Sequence, residues 1–460
     1  MTKPNLLLAL LLLAACRSTP LAPYAPPPAS IAVEDAPDFT QSANVAIVAT
    51  AGGTAETSIA ISPADPNRIV VVGAGPTGSR YRRSDAYVSA DGGRTWSARR
   101  PYPETINGMA FAGGGDPVVT ADREGRFYFT SLLASASPSR SGVAVARSDD
   151  GGMTWNEPVI VALSTGNVRP YEDKQWIAAD ATGGPHDGNV YLIWGHYAQV
   201  SKPDPGQIVI SRSTDRGATW SEPLGLSVNG GVGLSELEIG PAGEVYATYY
   251  ENARGFLLRT SRDGGLTFDE PRPIGPALGG GGPMPNVQAQ FRPMQSFAVD
   301  RSTGPHRGTL YYLMPSRNGT AGAISLMRST DGGATWSSAR NISGDTRGRD
   351  ATLPSIAVDE VSGEVLAAWL DRRDDAANVV ARLYASKSSD GGTTWSEPKP
   401  FSAPFSIDAP FIGDYNGAAA HAGTWVAAFA DAGGYMSVAR IDLGQPQPEA
   451  ARRRRSVRTP

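Results

Sequence analysis

The 460-residue sequence holds one cysteine, Cys16, and four histidines. A single thiol excludes an internal disulfide and a cysteine-built zinc site. His186, His196, His306 and His421 show no zinc-motif spacing, so no metal or other cofactor is expected. Leu6 to Leu13 form an apolar run too short to span a bilayer. Charged residues are 19% of the chain, with a total of −4. Setting aside Lys3 and five arginines near the C-terminus leaves 35 of the 41 cations against 45 anions, a net charge of −10. No clustered basic face of the kind nucleic acid requires is present, so no nucleic-acid partner is expected. Glycine (53) and proline (37) are plentiful. Both are poor in helix interiors, which argues against a helical bundle. The 9 Trp, 16 Tyr and 12 Phe supply ample core, so a large, turn-rich all-β protein is expected.

The position of Cys16 is informative. Lys3 precedes the apolar run, and Leu13-Ala14-Ala15-Cys16 ends it. This grammar resembles a bacterial lipoprotein signal. The resemblance implies cleavage before Cys16 and lipid on its thiol and new amino group. The chain would then sit at a membrane without a transmembrane helix. Arg17 stands where an inner-membrane retention signal carries Asp, which points to the outer membrane of a bacterial envelope. Pro20, Pro23, Pro26, Pro27 and Pro28 then mark an extended tether. Four segments result: a signal peptide over 1–15, a tether over 16–41, a propeller domain over 42–445, and a basic solvated tail over 446–460.

The propeller reading comes from repeats. Ser-x-Asp-x-Gly-x-Thr-aromatic recurs six times, centred on Asp91, Asp150, Asp215, Asp263, Asp331 and Asp390. The aspartates are 59, 65, 48, 68 and 59 residues apart, the signature of one supersecondary unit reused. The chemistry is that of a hairpin turn. The carboxylate accepts backbone N–H groups, Gly permits positive φ, Thr closes the turn, and the aromatic plugs the space between sheets. One carboxylate per copy is too few oxygens for Ca²⁺.

Between the boxes lies a second repeat, an apolar strand, a turn and another apolar strand. It starts at Ile59, Val118, Trp176, Leu237, Phe297, Ile356 and Gly417. Seven strand pairs with six boxes fit a β-propeller of four-stranded blades, seven-bladed with six blades as the alternative. Fourth strands are expected after Glu157-Pro158, Glu222-Pro223, Glu270-Pro271 and Glu397-Pro398. The seventh unit lacks a box. Its third strand falls at Met436–Arg440, and residues 44–48 are expected to return as its fourth, closing the ring.

The boxes resemble the Asp-box, or BNR, repeats of the sialidase superfamily. That resemblance implies a sialidase-like glycoside hydrolase with a Tyr nucleophile backed by a Glu, an Asp acid/base and three arginines on the substrate carboxylate. Ile412-Gly413-Asp414-Tyr415-Asn416-Gly417 resembles the tyrosine strand and places the nucleophile on Tyr415. Residues 233–239 resemble the segment with the Glu, which falls on Leu234, two residues from Glu236. Asp414 or Glu236 would assist Tyr415. The arginine triad is not reproduced. Phe291-Arg292-Pro293 resembles the first arginine motif but precedes the wrong box.

Each innermost strand begins beside the central cavity. Upstream of these starts stand Glu56, Asp116, Asp173 with Lys174, Glu236, Arg292, Asp350, and Asp414 with Tyr415; Arg373 lies in a later loop. Converging polar groups in a concavity make a candidate site. The set is mainly acidic, and suits a neutral or cationic glycan at least as well as an anionic sugar. Two readings stay open: a hydrolase, or a non-catalytic propeller binding glycan or protein partners.

Overall fold

The computed structural model describes residues 40–41, 45–49, 55–75, 84–111, 113–136, 139–165, 171–197, 206–228, 232–279, 282–291 and 294–442. Cys16, most of the tether, the basic tail and Arg292 lie outside the described residues. No described helix is long and apolar enough to cross a membrane.

The strands form seven blades, each an antiparallel sheet read from the axis outward. Blade 1 is Ala55–Ile61, Ile69–Ala74, Ser84–Ser89 and Ser97–Arg99. The inner strands of blades 2 to 6 are Val118–Ala121, Tyr171–Ala179, Val232–Ile239, Ser296–Val299 and Ala351–Val358. Blade 7 runs Gly417–His421, Thr424–Ala430 and Tyr435–Asp442. Its outer edge is taken by Val45–Ala49, paired Val45 to Val438 and Ala49 to Tyr435. The N-terminal run therefore closes the ring, and the six-bladed alternative is excluded. Outer strands begin at Val159, Leu224, Arg272 and Lys399, each one residue after the Glu-Pro pair that breaks the chain before it.

Every box sits where a third strand ends. In the blade-2 copy, Ser148 Oγ donates to Asp150 (2.9 Å) and accepts from Gly152 N–H (2.8 Å). Thr154 donates its N–H (2.8 Å) and Oγ1 (2.7 Å) to the same carboxylate. The other five copies repeat this net, as at Asp331, where Thr335 donates twice, at 2.9 and 2.6 Å. Gly152 has φ 91°, and a Cβ there would lie 2.7 Å from Val70 of blade 1. Only glycine lets the turn close on the preceding blade.

The core is divided among the blade interfaces. Val70, Val72 and Val88 meet Phe127 and Phe129 between blades 1 and 2. Trp369 and Tyr311 fill the gap between blades 5 and 6. Trp425 packs with Leu383 between blades 6 and 7. Burying a large apolar side chain contributes about 1.5–3 kcal/mol, so the ring is held mainly by these wedges.

Candidate functional site at the propeller mouth

Inner strands start with a shared distortion. Glu56, Asp116, Lys174, Leu234 and Leu353 all have positive φ, between 48° and 55°. In blades 1, 3, 4 and 6 a register shift accompanies it, as between Ala55 and Ser58. A non-glycine residue in this conformation costs on the order of 1–2 kcal/mol. Hydrogen bonds between blades offset the cost. Asp116 N–H donates to the Glu56 carboxylate (3.3 Å), and Lys174 N–H donates to that of Asp116 (3.1 Å). Ser235 Oγ donates to the Lys174 carbonyl (3.0 Å). The bulges thus link each blade to its neighbour and bring side chains of several blades to the axis.

Lys174 is the centre of this cluster. Its Nζ lies 3.8 Å from the ring centroid of Tyr415 and 4.3 Å from that of Trp176. It is buried, with no hydrogen-bond partner. Loss of solvent lowers its pKa, opposed by the charges of Glu236, Asp116, Glu56 and Asp414. Two aromatic faces and a surrounding set of carboxylates stand in for water around the ammonium.

Tyr415 is 2% exposed. Its hydroxyl donates to the carbonyl of Pro117 (3.2 Å), and its ring meets Trp176 edge to face. Burial raises the phenol pKa well above its ordinary value, and Glu56, Asp116, Asp414 and Asp173 raise it further. A phenolate nucleophile needs the opposite environment. Glu236 is also buried, and burial pushes its carboxyl up to about 8 despite Lys174. It bonds the backbone N–H of Phe297 in the next blade. Ser58 and Ser296 make the same kind of link, accepting from Val119 and Ile356 N–H (both 3.2 Å). Glu236 therefore stands at a blade-bridging position.

The other expected site residues divide. Asp116, Asp173 and Asp414 are half-buried at the mouth, and Glu56 is buried beside them. Asp350 lies inside a separate network. It accepts from Gly322 N–H (2.8 Å) and Asn378 Nδ2 (2.7 Å), with Arg372 at 3.4 Å. Arg373 is held by Asp371 and the Ser343 carbonyl (both 2.6 Å) over the Tyr384 ring. Neither supplies its charge to the Lys174 cluster in this arrangement.

The sequence reading overlooked Trp176, whose ring supports both Lys174 and Tyr415. It also overlooked the far end of the axis. A channel of about 180 Å³ runs from Trp176 to the opposite face, where Arg301 bonds Glu360 beside Glu238. Burial raises the Glu238 carboxyl to about 7. The signal was available, since Arg301 and Glu360 follow Asp300 and Asp359, each the first residue past an inner strand. No group of three or more metal-ligating side chains occurs among the described residues.

These blades can be compared with known proteins. Residues 56–274, blades 1 to 4, match the BNR repeat-like domain. The match spans the first four of the six boxes. A sialidase from Micromonospora viridifaciens is 28% identical over 222 residues, 42% of this chain and 31% of that protein. A xyloglucanase from Hypocrea jecorina is 35% identical over 146 residues, 29% of this chain and 16% of that protein. The chain thus spans less than a third of either relative. Among solved structures, the α-L-arabinanase of Penicillium chrysogenum aligns with 88% of this chain and 99% of its own, at 13% identity and a TM-score of 0.46.

Proposed function

We propose that this propeller acts on glycans at its mouth as a glycoside hydrolase-like protein, through carboxylates rather than through Tyr415. One observation carries the reading: Glu56, Asp116, Asp414 and Glu236 act on the buried Lys174 amine, and Asp173 joins Glu56, Asp116 and Asp414 around the Tyr415 ring on which that amine rests. An acidic mouth repels a sugar carboxylate and suits a neutral, hydroxyl-rich or cationic glycan. The half-buried Asp173 and Asp414 are the proposed reacting pair. One would protonate the glycosidic oxygen, and the other would act on the anomeric carbon or activate water there. Lys174 would balance their charge. The relatives' glycosidase names support the class of chemistry. Lipidation of Cys16 would hold the domain at the outer membrane, with its mouth facing glycans of the envelope or its surroundings.

The test is turnover on a panel: a fluorogenic sialoside, and xyloglucan, arabinan and β-glucan oligosaccharides. Asp414→Asn and Asp173→Asn should each lower turnover of a neutral glycan at least 100-fold, with Tyr415→Phe close to wild type. Cleavage of the sialoside alone, abolished in Tyr415→Phe, would return the reading to a sialidase. A second reading has its own support. The Lys174 amine and Tyr415 are both withdrawn from solvent, which fits a propeller that binds without turnover. Glycan binding with no product from any panel member would establish it. Fatty-acid labelling of the wild type but not of Cys16→Ser would test the anchor.

A further inference from the structure

The inner hairpin of blade 3 carries a feature that the mouth cluster does not use. Tyr171 and Tyr197 are cross-strand partners, stacked with centroids 4.6 Å apart and planes at 9°. Tyr171 is 36% exposed, one of few large apolar-ringed side chains at the described surface. The stack is built into the backbone. A Cβ at Gly195 would lie 2.9 Å from the Tyr197 ring, so any larger residue would displace it. Gly195 faces Asp173 in the register, two residues from each tyrosine. Residues two apart on a strand share a face, so the stack and the Asp173 carboxylate stand on the same side.

The opposite side of the hairpin fixes it in place. Glu172 is 3% exposed. Its carboxylate accepts from Trp194 Nε1 (2.7 Å) and Ser164 Oγ (3.0 Å), and pairs with His196 Nδ1 (3.1 Å). Its N–H donates to Ser141 Oγ of blade 2 (3.1 Å). The backbone beneath Tyr171 is therefore pinned from two blades. A preorganised aromatic surface binds with little ordering cost.

We propose that Tyr171 and Tyr197 form a rim subsite for one sugar ring of a neutral oligosaccharide whose neighbouring units reach Asp173 and the mouth. The tyrosine surface would take the apolar face of the ring. Tyr171 precedes Lys174 by three residues along one strand, on the order of 10 Å, so a single chain spans both. The proposal rests on the glycan reading of the mouth. Glu172 is a positioning residue in it.

The test is affinity against chain length, by calorimetry with xyloglucan and β-glucan oligosaccharides of two to seven units. Wild type should tighten with length, and Tyr171→Ala should bind the longer oligomers about tenfold more weakly, with an unchanged melting temperature. Tyr171→Phe keeps the stacking face and should bind as wild type does. Tyr171→Ala equal to wild type at every length, while wild type binds, would overturn the subsite alone. No binding of any oligomer by wild type would overturn both the subsite and the glycan reading.

Discussion

Lys174→Met is the sharpest test of the mouth. Methionine keeps the length of the side chain and meets the same backbone strain at φ 48°, so the change isolates the charge. Two cation–π contacts disappear, worth up to about 2 kcal/mol each when desolvated. The desolvation cost of the ammonium, several kcal/mol, disappears with them. These two changes roughly cancel. What remains is the loss of the Lys174 charge that faces Glu56, Asp116 and Asp414. Removing one partner from a buried charge set typically costs about 3–5 kcal/mol. The variant should therefore be about 3 kcal/mol less stable at pH 7, by urea unfolding followed through tryptophan fluorescence. A variant as stable as wild type at pH 7, or more stable, would refute the role of Lys174 as counter-ion.

Three further outcomes follow from the same geometry. Glu236 has a folded pKa of about 8 against 4.5 unfolded, so its contribution is fully present below 4.5 and is lost as pH rises through 8. Glu236→Gln should match wild type near pH 4.5 and gain on it steadily toward pH 8 in thermal melts; a gain that shrinks with pH would contradict this. Tyr415→Phe removes one hydrogen bond to a carbonyl and should cost about 1 kcal/mol in urea unfolding, and a loss above 3 kcal/mol would mean the hydroxyl has another role. The Asp331 carboxyl is held down to about 2 by Thr335 and Ser329, so the box contributes above the ordinary value of 3.8 and fails as pH falls toward 2. Asp331→Ala should lower the melting temperature at pH 7, and its deficit should close at pH 2, where a persistent difference would show that the carboxylate charge is not the cause.

The boxes were legible in the sequence because they are closed by local bonds. Ser148, Asp150, Gly152 and Thr154 satisfy one another within seven residues. Blade number followed from counting, and the closing strand from the one unit left incomplete. The mouth was only partly legible. The starts of the inner strands lie where Glu56, Asp116, Lys174 and Tyr415 gather. Yet the bulges there add a residue and reverse the alternation of sides. That shift turns Glu236 toward Phe297, and no periodicity reveals it. Partners remote in sequence were equally hidden. Tyr415 bonds a carbonyl 298 residues away, and Asp350 is satisfied by residues 28 positions to either side.

The pairing of residues 45–49 with the strand at 435–442 has a temporal consequence. A strand that precedes blade 1 in the sequence is paired only by blade 7. Six blades can assemble in order as they emerge, each covering the flank of the one before. Residues 45–49 find no partner in the ring until the seventh blade exists. Throughout that interval the growing arc has two open edges, one at each end, and open edges invite pairing with other chains. Fast docking of residues 45–49 onto the finished seventh blade closes both edges at once and ends the exposure.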